Sequence, residues 1–311
     1  MGRVDLLEGD MTIYLGTPAE ARYWCREQRK GGQSVGFVPT MGALHDGHRS
    51  LVERAVAENG TTCASIFVNP LQFNSREDLD KYPRSLEEDL AILDRVGCKM
   101  AFTGSLESFF PEAGDADRIP PVVPLPAIAG LEAAFRPGHM EGVQAIVERL
   151  FRTVGPCRAY FGEKDFQQSL LVRQIAAGMN TIEVVVCPTV RESGGLAMSS
   201  RNRRLDAAER ELALALVRAL RAAAGAWHGG QRDPERLEEL MRGMLAVPGI
   251  TTDYTAVRDP ENWTAETPPG PLQKGRALVA AWVGGVRLID NLDLDTAGTH
   301  SSTVRPAFRG E

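Results

Sequence analysis

The sequence has no uninterrupted apolar run near the ~20 residues that cross a bilayer, and no basic N-terminal stretch leading into an apolar one. A membrane partner is therefore not expected, and the protein reads as cytoplasmic. Positive charge is also short, with 35 Lys and Arg against 41 Asp and Glu, a formal charge of −6 at pH 7. An acidic chain is a poor match for a polyanion, so no nucleic acid partner is expected and any phosphate chemistry belongs in a local basic pocket. The cysteines, Cys25, Cys63, Cys98, Cys157 and Cys187, are odd in number and form no CxxC. That pattern indicates neither a disulfide framework nor a structural zinc site, and the plain reading is reduced, mostly buried thiols. The G-x-G-x-x-G fingerprint is missing too, which speaks against a dinucleotide oxidoreductase.

What is present is an alternation. An apolar stretch at 34–39 ends in Pro and Gly and is followed at 46–58 by an amphipathic helix with Leu51, Val52, Ala55 and Val56 on one face. Strand patterns at 61–68, 99–103, 158–161 and 182–186 alternate with helical patterns at 85–96, 140–154 and 167–177. Such alternation implies right-handed crossovers and an α/β fold with a Rossmann-like parallel sheet. The β-branched run 182–186 reads as a fully buried parallel strand. A Pro-, Gly- and Asp-rich stretch at 109–126 reads as a surface excursion. After Arg201 the composition changes: a long helix at 206–224 with Asp206 as N-cap and Gly225 near its end, a second at 234–245, and strands at 251–257, 276–283 and 286–291. The expectation is two domains: a Rossmann-like domain over 1–190 and a smaller C-terminal α+β lid domain over 191–311, its tail loose from about 297.

Four stretches carry chemistry. Met41, Gly42, Ala43, Leu44, His45, Asp46, Gly47 and His48 stand where the first of these strands gives way to a helix. Helix N-termini present unpaired N–H groups and partial positive charge, glycines clear space, and two imidazoles can donate to phosphoryl oxygens, so ATP fits. Taken alone, H-x-x-H is equally a metal pair or two surface histidines, although zinc would want a third ligand and the absent H-E-x-x-H spacing. Gly162, Glu163, Lys164 and Asp165 follow another strand, where Lys164 could reach a triphosphate and Gln168 a polar substrate; the bland alternative is a structural turn. Met198, Ser199, Ser200 and Arg201 offer hydroxyls and a guanidinium to departing pyrophosphate, or a helix cap. Finally, Asn69 and Gln72, with Tyr82 and Asp89 further on, offer neutral amides to a hydroxy acid, or only a turn.

In order, the stretches GFVPTMGALHDGH, VNPLQF, RPGH, GEKDFQQ and GLAMSSRN resemble the pantothenate synthetase (pantoate–β-alanine ligase) family over residues 12–292. H-x-G-H by itself would indicate only the wider nucleotidyltransferase group. The resemblance implies ATP-dependent condensation of (R)-pantoate with β-alanine through a pantoyl-adenylate, with Mg²⁺ and a homodimer. It assigns 41–48 to the ATP loop, with His48 as proton donor and His45 assisting at the phosphates. Gly162, Glu163, Lys164, Asp165, Val190, Met198, Ser199, Ser200 and Arg201 would complete the nucleotide site. Gln72 and Gln168 would hold pantoate, with Gln72 also near β-alanine, Asn69 and Tyr82 lining the vicinity, and Asp89 on the metal side. Arg136 and His139 would shape the pocket, and an edge strand at 61–68 would offer a dimer interface. Phe166, Arg204 and Ser193 to Gly195 depart from the family's usual residues without removing a group assigned to substrate. Two other readings stay open: a nucleotidyltransferase acting on a phosphorylated substrate, and a nucleotide-binding scaffold without turnover.

Overall fold

The computed structural model describes residues 11–113 and 121–296. The expected loose tail and residues 114–120 of the expected surface excursion lie outside these. The chain forms two compact units: one from the described parts of Met1–Val122 with Gly142–Phe161 and Ile175–Cys187, the other from Val123–Glu141, Gly162–Gln174 and the described part of Pro188–Glu311.

The first unit carries β1 (Ile13–Leu15), α1 (Pro18–Lys30), β2 (Val35–Thr40), α2 (Asp46–Glu58), β3 (Thr61–Ile66), α3 (Arg76–Asp80), α4 (Leu86–Arg95), β4 (Met100–Phe102) and α5 (Leu106–Phe109). The chain continues through α6 (Glu132–Phe135), α7 (His139–Val154), β5 (Cys157–Gly162), α8 (Phe166–Ala177) and β6 (Ile182–Cys187). The six strands form one sheet in the order β1–β4–β3–β2–β5–β6, with parallel pairing of β2 to β3 and β5, and of β4 to β1 and β3. Helix α1 is capped by Thr17, which accepts from Glu20 N–H at 3.3 Å, and Pro18 begins it. The sheet's apolar face is filled by Val38, Leu44, Val52, Ala55, Ala64, Leu93 and Ala101.

Two expectations are corrected here. Strand β3 is not an edge: it lies between β2 and β4, and all but its last residue are buried. The mixed run TTCASI looks polar enough for an edge, but its Thr and Ser are small enough to pack under helices. Conversely, β6 is the outermost strand and half-exposed rather than buried, with Glu183 turned out to Arg158 at 2.8 and 2.9 Å. A β-branched run reports a pleated surface, not how many neighbours the strand has.

The C-terminal part holds α9 (Ala207–His228), α10 (Pro234–Leu245), β7 (Ile250–Arg258), β8 (Arg276–Val283) and β9 (Val286–Asp293), the strands forming an antiparallel sheet β7–β8–β9. Asp206 and Glu209 close a capping box at 2.8 and 2.9 Å. Helix α9 does not end near Gly225 but runs to His228. Burying Trp227 in the last turn is worth a few kcal/mol, which outweighs the ~1 kcal/mol cost of an interior glycine. Gly284 and Gly285, at φ 56° and 73°, make the tight β8–β9 hairpin turn between the paired Val283 and Val286. Leu216, Leu220, Trp227, Leu237, Met241, Val279 and Val283 form this core.

Candidate active site

Strand β2, buried at every position but the half-buried Pro39, delivers the chain to a sharp turn. The Thr40 hydroxyl donates to the Ser65 carbonyl at 2.7 Å and accepts from Gly42 N–H at 3.1 Å. Gly42 and Ala43 then both adopt left-handed conformations, φ 79° and 51°. The Ala43 position is strained for an L-residue and needs support. Asp89, 1% exposed on α4, supplies it: one carboxylate oxygen accepts Ala43 N–H at 2.9 Å and the other Leu44 N–H at 2.7 Å. A Cβ on Gly42 would stand 2.8 Å from that carboxylate, so glycine is required for space as well as for φ.

His45 caps α2, its Nδ1 accepting Gly47 N–H at 3.1 Å. That bond keeps Nδ1 an acceptor and leaves Nε2 to carry the ring proton. The His45 and His48 rings lie 4.0 Å apart at 30°. After β3, Asn69 accepts Leu71 N–H at 3.2 Å, opening a 3-10 turn over Pro70–Gln72, and donates to the Gly142 carbonyl at 3.0 Å and to Gln72 Oε1 at 3.1 Å. With its oxygen held, Gln72 points Nε2 at Met41 Sδ, 3.0 Å away. Gly142 on α7 permits this packing, because a Cβ there would overlap the Leu71 carbonyl and stand 2.8 Å from Gln72 N. Buried Tyr82 packs edge-on against Phe73 at 5.7 Å. The first unit thus brings the H-x-G-H loop, Asn69 and Gln72 together.

In the second unit a cavity of about 30 Å³ is lined by Lys164, Gln168, Arg136, His139, Glu132 and Asn291 among others. Buried Glu132 receives both Arg287 Nη atoms at 2.8 Å each and the Tyr254 hydroxyl at 2.8 Å. Burial pushes its carboxyl up, but the Arg287 pair and the Tyr254 bond outweigh this and hold it below the ordinary range. Burial, followed by the neighbouring Glu132 charge, drives the Tyr254 hydroxyl well above its usual value. Arg136 Nη1 and His139 Nε2 are 3.0 Å apart. Gln167 is consumed structurally, accepting Glu132 N–H at 3.0 Å and donating to the Ala127 carbonyl at 2.9 Å; its neighbour Gln168 faces the cavity.

Lys164 sits half-buried in the turn between β5 and α8, and its ammonium makes no hydrogen bond among the described residues. Glu163 pairs with Arg276 at 2.8 Å. The Val190 carbonyl accepts Met198 N–H at 3.0 Å, closing a small hairpin, after which Ser199 caps the 3-10 turn Ser200–Arg204 by accepting Arg201 N–H at 3.3 Å. Sequence reasoning missed the task of Asp89 under the loop, Gly142, the Glu132–Arg287 pair and the side chains holding the Lys164 turn. The last left a signal: Asp290 and Asn291 are adjacent polar residues in the middle of a short strand, and both are 3% exposed.

A parallel α/β sheet whose central strand ends in a glycine turn and a histidine-capped helix defines a nucleotide-binding enzyme of the α/β class. A sequence model of the family described as Pantoate-beta-alanine ligase matches residues 14–293. The chain is 47% identical to the pantothenate synthetase of Acidobacterium capsulatum over 266 residues, 84% of this chain and 86% of that one. It is 44% identical to that of Mycobacterium avium over 301 residues, 96% and 94% of the two. Among solved structures, pantothenate synthetase from Thermus thermophilus matches with a TM-score of 0.82 at 42% identity, over 91% of this chain and 99% of that one. A Francisella tularensis pantoate-β-alanine ligase, complexed with β-γ ATP and β-alanine, matches with a TM-score of 0.73 at 32% identity, over 92% and 98%. The chain belongs to the pantoate–β-alanine ligase family.

Proposed function

We propose that this protein condenses (R)-pantoate with β-alanine at the expense of ATP, by way of a pantoyl-adenylate. The observation that carries the reading is the family match from residue 14 to residue 293, which takes in every stretch assigned a role. A carboxylate is a poor electrophile. In the first step a pantoate carboxylate oxygen attacks the α-phosphorus, a new P–O bond forms, and pyrophosphate leaves with the electron pair of the broken bond. In the second, the β-alanine amine attacks the acyl carbon, AMP leaves, and the amine loses a proton.

The residues divide that work. Backbone N–H groups at the start of α2 and the His45 Nε2–H donate to phosphoryl oxygens, and His48 is the proton donor. Lys164 and Arg201 neutralise charge on the departing pyrophosphate. The neutral carboxamides of Gln72 and Gln168 hold pantoate, Gln72 being kept in orientation by Asn69. Val190, Met198 and Ser199 supply the rest of the nucleotide contacts. Mg²⁺ enters with ATP as its counter-ion. Among the described residues no cluster of three His, Cys, Asp or Glu forms a protein cage for it, and both Asp89 oxygens are engaged by the loop backbone, so the phosphates themselves would be its main ligands. No helix among the described residues is long and apolar enough to cross a membrane; a cytoplasmic homodimer is the proposed state, checked by sedimentation.

The test is to supply ATP, Mg²⁺, pantoate and β-alanine and to follow pantothenate, AMP and pantoate-dependent ATP–pyrophosphate exchange. Exchange only with a phosphorylated acceptor would move the protein to another nucleotidyltransferase activity. ATP binding without AMP formation would make it a scaffold.

A further inference from the structure

The turn that carries Lys164 is gripped by side chains more than a hundred residues away. Asn291, buried on β9, uses both hydrogens of its carboxamide: Nδ2 donates to the Glu163 carbonyl at 2.9 Å and to the Lys164 carbonyl at 2.8 Å. Those two carbonyls belong to the two peptide planes on either side of the Lys164 Cα. Peptide units are rigid, so fixing both planes fixes φ and ψ at Lys164 and, with them, the direction in which its side chain leaves the backbone.

The clamp is itself held. Asn291 Oδ1 accepts from Arg276 Nη1 at 2.7 Å, which orients the carboxamide so that its nitrogen faces the turn. Arg276, 5% exposed, also donates to Glu163 at 2.8 Å and to Asp293 at 3.1 Å, and its guanidinium lies 4.3 Å over the Phe166 ring at the start of α8. The preceding residue, Asp290, receives Arg191 at 2.6 and 3.0 Å, and Arg191 donates in turn to the Gly195 carbonyl at 3.0 Å in the hairpin that leads to Ser199 and Arg201. Every polar atom of the Asn291 side chain is used, and only a carboxamide of this length offers two donors and one acceptor in that arrangement. Aspartate would turn lone pairs toward two carbonyl oxygens, and alanine would leave both carbonyls and Arg276 Nη1 without these bonds.

We propose that Asn291 is a positioning residue for adenylate formation: it aims Lys164 at the triphosphate without touching substrate. The inference rests on the reading of Lys164 as an ATP-contacting group, and the test separates the two. Pantoate-dependent ATP–pyrophosphate exchange is measured on the full-length chain for the parent, Asn291→Ala, Lys164→Ala and the double variant, with thermal melting of each. Displacement of a binding group by about 1 Å costs up to about 100-fold in rate, so Asn291→Ala is expected to lower exchange kcat by about 10- to 100-fold while the pantoate KM stays within about twofold. In the Lys164→Ala background the same change is expected to cost less than about twofold, because the aim of an absent ammonium does not matter. Equal losses in both backgrounds, or parent-like exchange in Asn291→Ala, would overturn the proposal. If Lys164→Ala alone exchanges like the parent, the assignment of Lys164 fails and the positioning role fails with it. If Asn291→Ala does not fold, the cycle is read on Asn291→Asp, which keeps the shape and the acceptor for Arg276 and puts a carboxylate oxygen in place of the two donors that face the turn.

Discussion

Replacing Asp89 by Asn tests whether the nucleotide loop is held by one buried carboxylate. Asp89 receives two backbone N–H groups, one on each oxygen, at 2.9 and 2.7 Å. Asparagine keeps the shape but has only one acceptor, so whichever way the amide turns, an NH₂ faces the N–H of Ala43 or Leu44. A hydrogen bond to a charged group is worth about 1.5–3 kcal/mol, and a buried N–H left unsatisfied costs about 1–3 kcal/mol. Some relaxation is available at the exposed end of the loop, so the net strain is set at about 2–4 kcal/mol. Ala43 already holds a left-handed φ of 51°, and the strained turn releases first. If that strain falls on the transition state, pantoate-dependent exchange drops about 30- to 700-fold at about 1.4 kcal/mol per decade. The melting temperature should shift by only a few degrees. Exchange is measured across a Mg²⁺ titration. Recovery of rate at high Mg²⁺ would mean that Asp89 serves the metal, and an unchanged rate throughout would mean that the loop holds its shape without it. Either result refutes the argument.

Gly142→Ala should push α7 away from the Gln72 turn at a cost of about 1–3 kcal/mol; pantoate affinity measured by calorimetry should fall by about one order of magnitude while ATP affinity changes far less. The Glu132 carboxyl has a depressed folded pKa, so its stabilisation is present above its unfolded value near 4.3 and disappears as pH falls through the folded value. Glu132→Gln should therefore destabilise by about 3 kcal/mol at pH 7, the low end for breaking a buried pair because Asp253 still faces Arg287 at 2.7 Å. In denaturant melts the gap from the parent should narrow on acidification below about pH 4; a constant gap would contradict the pairing. All five thiols are buried, and burial pushes Cys98 and Cys157 to about 12. A thiol-specific reagent at pH 8 should find none of the five in the native protein and all five after denaturation.

Elements whose signal is local were legible before any coordinates. The run at 46–58 predicts α2 to the residue because the apolar stripe of Leu51, Val52, Ala55 and Val56 lies within one helix. The hairpin strands β8 and β9 are bracketed by Gly284 and Gly285. What stayed hidden depends on neighbours distant in sequence. The place of β3 in the sheet is decided by β2 and β4, not by its own six residues, and α9 continues past Gly225 because Trp227 finds a core. In the site, the charged and amide residues stood out as types. Their supports did not: Asp89 acts on a loop 45 positions earlier, and Arg287 reaches Glu132 across 155 positions.

Strand order in time matters as much as order in space for the Lys164 turn. The Asn291 amide and the Lys164 carbonyl it holds are 127 positions apart, so at ribosomal speeds of about 5–20 residues per second the turn waits about 6–25 s for its clamp. During that interval the first unit is already fully synthesised, its last strand ending at Cys187. A nascent chain can therefore display a finished parallel sheet and still lack an aimed ammonium, which makes the penultimate stretch of the described chain the point at which a folded polypeptide becomes a working catalyst.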